Sequence, residues 1–387
     1  MMLIINGKIL PMEGKTIENG YVQTKGEVIK ELGKMEQAPS PGKREEVLDV
    51  KGAWVMPGLI DAHCHVGIME EKRGTAGDDC NEATDPITPA VRAVDGVNPM
   101  DPAFHDVIIA GITSLMTGPG SANVVGGQSI FLKTHGRCVD EMAVLNPAAM
   151  KAAFGENPKN EYGGRDLMPG TRMGTAALLR EVLFQAKQYQ KEKQEGTLEK
   201  EDFQMEPWLP VLEKKIPLKT HAHRADDILT AIRIAKEFEI DLTLDHCTEG
   251  HLIAEEIAES GFPAIIGPDL TARSKIEVQN MSFKTNGILE KAGALTAIMT
   301  DHPVSLIRYL PLCAGLAVKQ GMSMEGALKA VTINAAKICR VDDRVGSLKP
   351  GKDADIAVFS DNPVNTLTKT LYTIINGQIV YHEGDKS

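Results

Sequence analysis

Two histidines one residue apart close a short apolar run, Gly58-Leu59-Ile60-Asp61-Ala62-His63-Cys64-His65. Side chains alternate along a β-strand, so in an extended segment His63 and His65 share one face and Cys64 takes the other. The rest of the chain has to cover such a strand and supply partners for its polar end. Neutral imidazole is a common ligand of zinc and similar divalent metals, and the pair reads as half of a metal site. Taken alone, it reads equally well as two histidines on a surface loop.

From residue 55 onward, short apolar segments alternate with helical ones, the mark of βα units and a parallel sheet or barrel. Candidate strands fall at 55–65, 111–116, 129–133, 148–154, 217–221, 241–245, 263–266 and 294–300, which makes eight. Helical stretches are expected at 228–238, 253–260, 304–320 and 324–339. Eight parallel strands close into a (β/α)8 TIM-like barrel with its active site at their carboxyl ends, where many of the polar residues fall. A long helical reading over about 172–203 interrupts the spacing. Its apolar stripe of Leu178, Leu179, Val182, Leu183, Ala186 and Tyr189 gives way to the solvated charges of 191–195, as in an extended crossover or a lid insertion.

The two ends of the chain have a different pattern. Leu3-Ile4-Ile5, Asn6-Gly7 and Lys8-Ile9-Leu10 read as two strands about a tight turn, and Ile374-Ile375-Asn376-Gly377-Gln378-Ile379 repeats the device. Further strands are expected at 21–24, 28–32, 46–49 and 355–359. We expect residues 1–56 and 346–387 to build one small β-domain, a β-sandwich, and residues 57–345 the barrel.

Composition excludes several classes of function. Of the 387 residues, 42% are hydrophobic and 25% charged, as in an ordinary globular protein. A net charge of −11 leaves no basic stripe to neutralise phosphates, so neither nucleic acid nor an anionic membrane is an expected partner. No apolar run approaches the roughly 18 residues of a membrane span, and the first residues lack a secretory pattern. The six cysteines include no CxxC pair and suit reduced thiols, so the expected location is the cytoplasm.

The opening motif has counterparts. Pro217-Leu218-Lys219-Thr220-His221-Ala222-His223 again ends an apolar strand in His-x-His, Leu242-Thr243-Leu244-Asp245-His246 ends one in a histidine, and Ala297-Ile298-Met299-Thr300-Asp301 ends one in a carboxylate. His63, His65, His221 or His223, His246 and Asp301 together offer the nitrogen and oxygen donors of a divalent metal site. Each alone is as readily a hydrogen-bonded structural residue.

These motifs, with Met56-Pro57-Gly58 before the first, Asn334-Ala335-Ala336-Lys337 and the stretch 346–355 near the end, resemble the amidohydrolase superfamily of metal-dependent hydrolases, nearest its imidazolonepropionase and prolidase-like branch. The resemblance implies that His63, His65 and His221 bind a metal. It implies that His246 binds a second metal or contacts substrate, and that Asp301 touches a metal and shuttles a proton, with His223 a neighbour. Many relatives carry on the fourth strand a lysine that carbon dioxide converts into a bridging carbamate. Lys151, inside an apolar strand that would keep its amine neutral, is the first choice for that place; Glu156, at the strand's end, and Lys133, on the third strand, are the others. Zinc is the expected metal, one ion or two, two if Lys151 is carboxylated.

The chemistry that follows is attack of metal-activated hydroxide on a C–N bond in an amide, cyclic amide or dipeptide, with Asp301 as general base and then acid. The alternatives are a metal-dependent deaminase and a non-catalytic barrel scaffold. The glycine-rich segment 117–128 offers backbone N–H groups to a substrate anion, and Arg172, Arg224, Arg273 and Arg308 are candidate clamps for a carboxylate. A small-molecule substrate is expected, and a homo-oligomer is common in the family.

Overall fold

The computed structural model describes residues 1–71 and 74–384. Eight strands form the barrel sheet: β6 (Leu59–Cys64), β7 (Ile112–Thr117), β8 (Val125–Lys133), β9 (Ala143–Ala153), β10 (Leu218–Ala222), β11 (Leu242–His246), β12 (Ala264–Ile266) and β13 (Thr296–Ile298). They pair in that order, so the sheet is a nearly closed barrel, and each expected strand has a counterpart, although the one expected over 55–65 is divided: Trp54–Pro57 pairs in a second sheet and only Leu59–Cys64 in the barrel. One expectation fails. β8 runs antiparallel to both β7 and β9, while the other pairs are parallel. The segment between β7 and β8 is too short for a crossover helix, and a short connection can join only antiparallel neighbours.

No ladder joins β6 to β13, and a carboxylate makes the link. Asp61 Oδ1 accepts from the His63 N–H at 3.1 Å, and Oδ2 accepts from the Thr300 N–H at 3.1 Å and the Thr300 hydroxyl at 2.6 Å. Two backbone bonds follow at the same edge, Asp301 N–H to His63 O at 3.2 Å and His65 N–H to His302 O at 2.9 Å. They bring the first and last site segments together.

The helix Arg172–Glu195 lies in the crossover from β9 to β10. Leu179, Val182, Leu183 and Ala186 pack into the apolar cluster that covers the outside of those strands, together with Ile228 and Ala235 of the helix Ala225–Phe238. Its apolar stripe is therefore a packing face against the barrel, and its last turn is exposed. The expected helix over 324–339 is broken into Met324–Ala330 and Ile333–Ile338. No helix among the described residues is long and apolar enough to cross a membrane.

Both ends of the chain meet in a second sheet. It contains β1 (Met2–Ile9), β2 (Ile17–Lys25), β3 (Val28–Lys34), β4 (Glu46–Asp49), β5 (Trp54–Pro57), β14 (Ile356–Phe359), β15 (Thr370–Ile375) and β16 (Gln378–His382). Asn376-Gly377 is the hairpin turn that its sequence suggests, with both φ angles positive. Asn6-Gly7 is not. β1 continues through it as one strand that pairs with β4 over its first half and with β5 over its last residues, and the positive φ of Asn6 marks a bulge where the partner changes.

The reversal of β8 removes Lys133 from the candidate site. Its Nζ lies at the opposite end of the barrel, 2.7 Å from Asp353 and 3.1 Å from Asp355, and also meets Asn376, tying barrel to terminal sheet. Breaking a buried ion pair from one side leaves an uncompensated charge and costs about 3–5 kcal/mol. Lys133→Met should lower the unfolding free energy by that order in denaturant melts while leaving metal content per folded chain unchanged.

Candidate metal centre

The site is built from the carboxyl ends of β6, β10 and β11 and from the turn after β13. Along β10, Leu218 and Ala222 pack outward, and Lys219, His221 and His223 take the inner face. Along β11, Leu242 and Leu244 pack outward and Thr243 and Asp245 inward, so alternation would send His246 out of the site. Its φ of 76° breaks the alternation. The ring turns in and stands 4.2 Å from that of His221 and 4.5 Å from that of His223. Asp301 has a φ of 52°. Non-glycine residues in this region cost roughly 1–3 kcal/mol each and persist where the surroundings hold them.

Asp301 Oδ1 is the focus of the first group. It lies 3.1 Å from His63 Nε2 and 3.2 Å from His65 Nε2. The other nitrogen of each ring is committed, His65 Nδ1 to the Gly118 carbonyl at 2.8 Å and His63 Nδ1 to Asp245 Oδ2 at 3.3 Å. A carbonyl only accepts, so His65 Nδ1 carries the hydrogen, and in the neutral ring Nε2 presents a lone pair. The same holds for His63 beside its carboxylate. Both Nε2 atoms thus meet Asp301 Oδ1, and His63, His246 and Asp301 each offer a ligand atom within 4.8 Å of the other two. The donors fit a divalent cation.

A second group contains His221, His223 and His246, with ligand atoms within 4.8 Å of one another. His223 Nδ1 is 2.7 Å from the Thr248 hydroxyl, and His246 Nδ1 donates to the Gly267 carbonyl at 2.9 Å. Both nitrogens of His221 and Nε2 of His246 are buried without a hydrogen-bond partner. Burial, then neighbouring positive charge, pushes His221 and His246 well below the ordinary imidazole range and His223 down to about 3. His63 is lowered in the same way. Neutral imidazole is the form that ligates metals.

Asp245 sits beneath the rings as the counter-charge of two buried lysines. Lys219 Nζ lies 3.1 Å from its Oδ1 and donates to the Ala62 carbonyl at 3.0 Å, and Lys151 Nζ lies 3.5 Å from its Oδ2. Burial lowers the pKa of Lys151 in spite of Asp245.

The structure thus gathers His63, His65, His221, His246 and Asp301, with Lys151 at their base, and makes His223 a full member of the second group. Glu156 is elsewhere. It opens the helix Glu156–Gly163, and its carboxylate is turned toward the backbone N–H of Glu277 at 3.4 Å. The arginines are also absent from the cavity wall: Arg172 pairs with Asp227, Arg224 with Asp226 and Arg308 with Asp106, while Arg273 reaches the Met281 carbonyl. Sequence reasoning missed Asp245, Lys219, Glu277 and Lys275. Lys219 could have been found, two residues before His221 on the same face. Glu277 and Lys275 stand at a single 3-10 turn after β12, where no periodicity points.

Above the rings opens a cavity of about 380 Å³, within the range of small-molecule sites. His65, His221, His223 and Asp301 form its floor, and Cys80, Asn157 and Lys275 are among the residues of its wall. Gly120 of the glycine-rich segment lines it too, and Gly118 gives the carbonyl that orients His65. A side chain at Gly118 would strike Ser129, its Cβ only 2.1 Å from the hydroxyl oxygen.

The model of the Amidohydrolase family matches residues 211–380. A solved amidohydrolase from Thermotoga maritima MSB8 is 41% identical, with a TM-score of 0.94, 99% of this chain and 100% of that one being covered. The amidohydrolase tasK of Hapsidospora irregularis is 26% identical over 92% of this chain and 40% of its own length. An adenine deaminase of Listeria monocytogenes is 25% identical over 99% of this chain and 58% of its own length. This chain therefore spans less than two thirds of either of these two relatives. It belongs to the amidohydrolase family, whose members are generally metal-dependent hydrolases and deaminases.

Outer partners of a metal ligand typically set about 10–100-fold of metal affinity. Asp245→Asn removes the charge that orients His63 and balances two lysines. Titration of the chelator-stripped variant with Zn²⁺ should show binding weakened by that order, and a lowered melting temperature should accompany it.

Proposed function

We propose that this chain is a metal-dependent hydrolase that cleaves a C–N bond in an amide, a cyclic amide or a dipeptide. The observation that carries the reading is the convergence of His63 Nε2 and His65 Nε2 on Asp301 Oδ1 beside a cavity of substrate size that His65 and Asp301 line. His63, His65 and Asp301 would hold a divalent cation, zinc by preference, and His221 with His246 a second. A cation there supplies a Lewis acid and a water-derived nucleophile at neutral pH.

The protein's own groups do the rest. Asp301 meets the two rings through Oδ1 and also borders the cavity, where its carboxylate can take the proton of an attacking water and return it to the leaving nitrogen. His246, turned inward by its backbone, is the further catalytic candidate, for contact with substrate. Lys151 is placed to become anionic: a neutral buried amine adds carbon dioxide and releases a proton, giving a carbamate beside the rings. The six cysteines are all unpaired, which suits a reducing cytoplasm.

Deamination is the second reading, favoured by the likeness to an adenine deaminase along nearly the whole chain. The two differ in product. Dipeptides, N-acyl amino acids, cyclic amides and aminopurines should be offered to the metal-loaded protein, with amine and ammonia release followed separately.

Chelation should abolish turnover, and Zn²⁺, Mn²⁺ or Co²⁺ should restore it. Asp301→Asn should lower kcat by about 10²–10⁴, the usual worth of a positioned acid–base group. An Asp301→Asn protein that binds metal and turns over at the full rate would refute the proton-shuttle role.

A further inference from the structure

Building on the metal-dependent reading, we infer that Glu277 and His223 are direct ligands of a second cation, completing a four-donor site with His221 and His246. Glu277 comes from a single 3-10 turn, Ile276–Val278, after β12 and is fully buried. Its Oε1 lies 3.6 Å from His221 Nε2 and 3.7 Å from His223 Nε2. Bonds of 2.0–2.2 Å in a tetrahedral arrangement put donors roughly 3.3–3.6 Å apart, so Glu277 Oε1 is close to ligating separation from two of the three rings, which themselves offer ligand atoms within 4.8 Å of one another.

The position is built. The Glu156 N–H donates to Glu277 Oε2 at 2.9 Å, which fixes the carboxylate with Oε1 toward the rings. Gly155 makes room for it: the residue has a φ of 87°, and a Cβ there would stand 2.4 Å from Glu277 Oε2. Thr248 and the Gly267 carbonyl occupy the Nδ1 atoms of His223 and His246, leaving Nε2 of each for a ligand. His246 Nε2 and both nitrogens of His221 have no hydrogen-bond partner although all are buried, and Glu277 Oε1 has the Lys275 ammonium as its neighbour besides the rings. Three imidazoles and one carboxylate give a divalent ion an anionic ligand that does not depend on Lys151.

Lys275 sets the competition for that oxygen. Its Nζ lies 2.6 Å from Glu277 Oε1 and donates to Asn157 Oδ1 at 2.9 Å, and its partly exposed side chain borders the cavity. A cation and this ammonium draw on the same carboxylate, so occupancy of the second position should displace Lys275 toward the cavity, where it can meet an anionic substrate group.

The test is Co²⁺ titration of the chelator-stripped full chain, read by metal analysis after gel filtration and by visible absorption. The wild-type chain should take two ions. Glu277→Gln and His223→Asn should retain one and bind the other at least about 100-fold more weakly, since even outer partners of a ligand are worth up to that factor. Lys275→Met should shift the second ion the other way, to severalfold tighter binding, a change of sign that a structural role would not produce. Asp301→Asn should weaken the first ion and spare the second. A Glu277→Gln chain that binds two ions as tightly as wild type, or a wild-type chain that binds only one, overturns the inference and leaves the metal-dependent reading standing. A wild-type chain that binds none overturns both. Should Glu277→Gln fail to fold by circular dichroism, the Lys275→Met and His223→Asn titrations decide.

Discussion

Two hydrogen bonds from Thr300 to one buried carboxylate, with two backbone bonds beside them, hold the barrel closed. β6 and β13 lie at the two ends of the sheet order, and Asp61 of β6, held by the His63 N–H of its own strand, bridges them by accepting twice from Thr300. A carboxylate in that place is costly unless it is fully hydrogen-bonded, and burial pushes its pKa up to about 7 against those bonds. The link sets the distance between His63 and Asp301, residues 238 positions apart in the chain. Every later feature of the cavity floor presupposes that spacing.

Charge is layered above this closure. Lys133 and its acidic partners stand at the far end, Asp245 with Lys151 and Lys219 below the rings, and the histidines at the floor of the cavity. Two ammonium groups under one carboxylate oppose any further positive charge nearby. Cation binding is easier once one of those lysines is neutral, and Lys151, whose pKa burial lowers, is the member pushed in that direction. Burial first, and then this positive layer, keeps His63, His221, His223 and His246 unprotonated, whereas His65, against its burial, is pushed up by Cys80 and Asp301.

The sequence shows the strands and the residues at their ends because both rest on local rules. Apolar runs ending in His63, His65, His221 and Asp301 carry period-two information that survives folding. Asp245 was hidden because alternation admits either it or His246 to one face, and only the left-handed backbone of His246 admits both. Lys133 was misplaced because strand direction is set by the length of a connection and not by the strand's own residues. Asn6-Gly7 has the chemistry of a hairpin turn but serves a strand that changes partner. Glu277 and Lys275 lie where no repeating pattern exists, and only tertiary packing brings them to the histidines.

The reversed strand also changes what surrounds the barrel. A right-handed crossover between β7 and β8 would have laid a helix over that flank, and the short hairpin leaves it bare. Leu115, Ile130 and Leu132 are instead clustered with Ala357 and Phe359 of β14, and Thr373 of β15 donates its hydroxyl to the Ile108 carbonyl. The terminal strands thus act as the missing panel of the wall. A barrel cut free of its first and last segments would open an oily side to water, so it cannot be borrowed as a module without carrying both termini along.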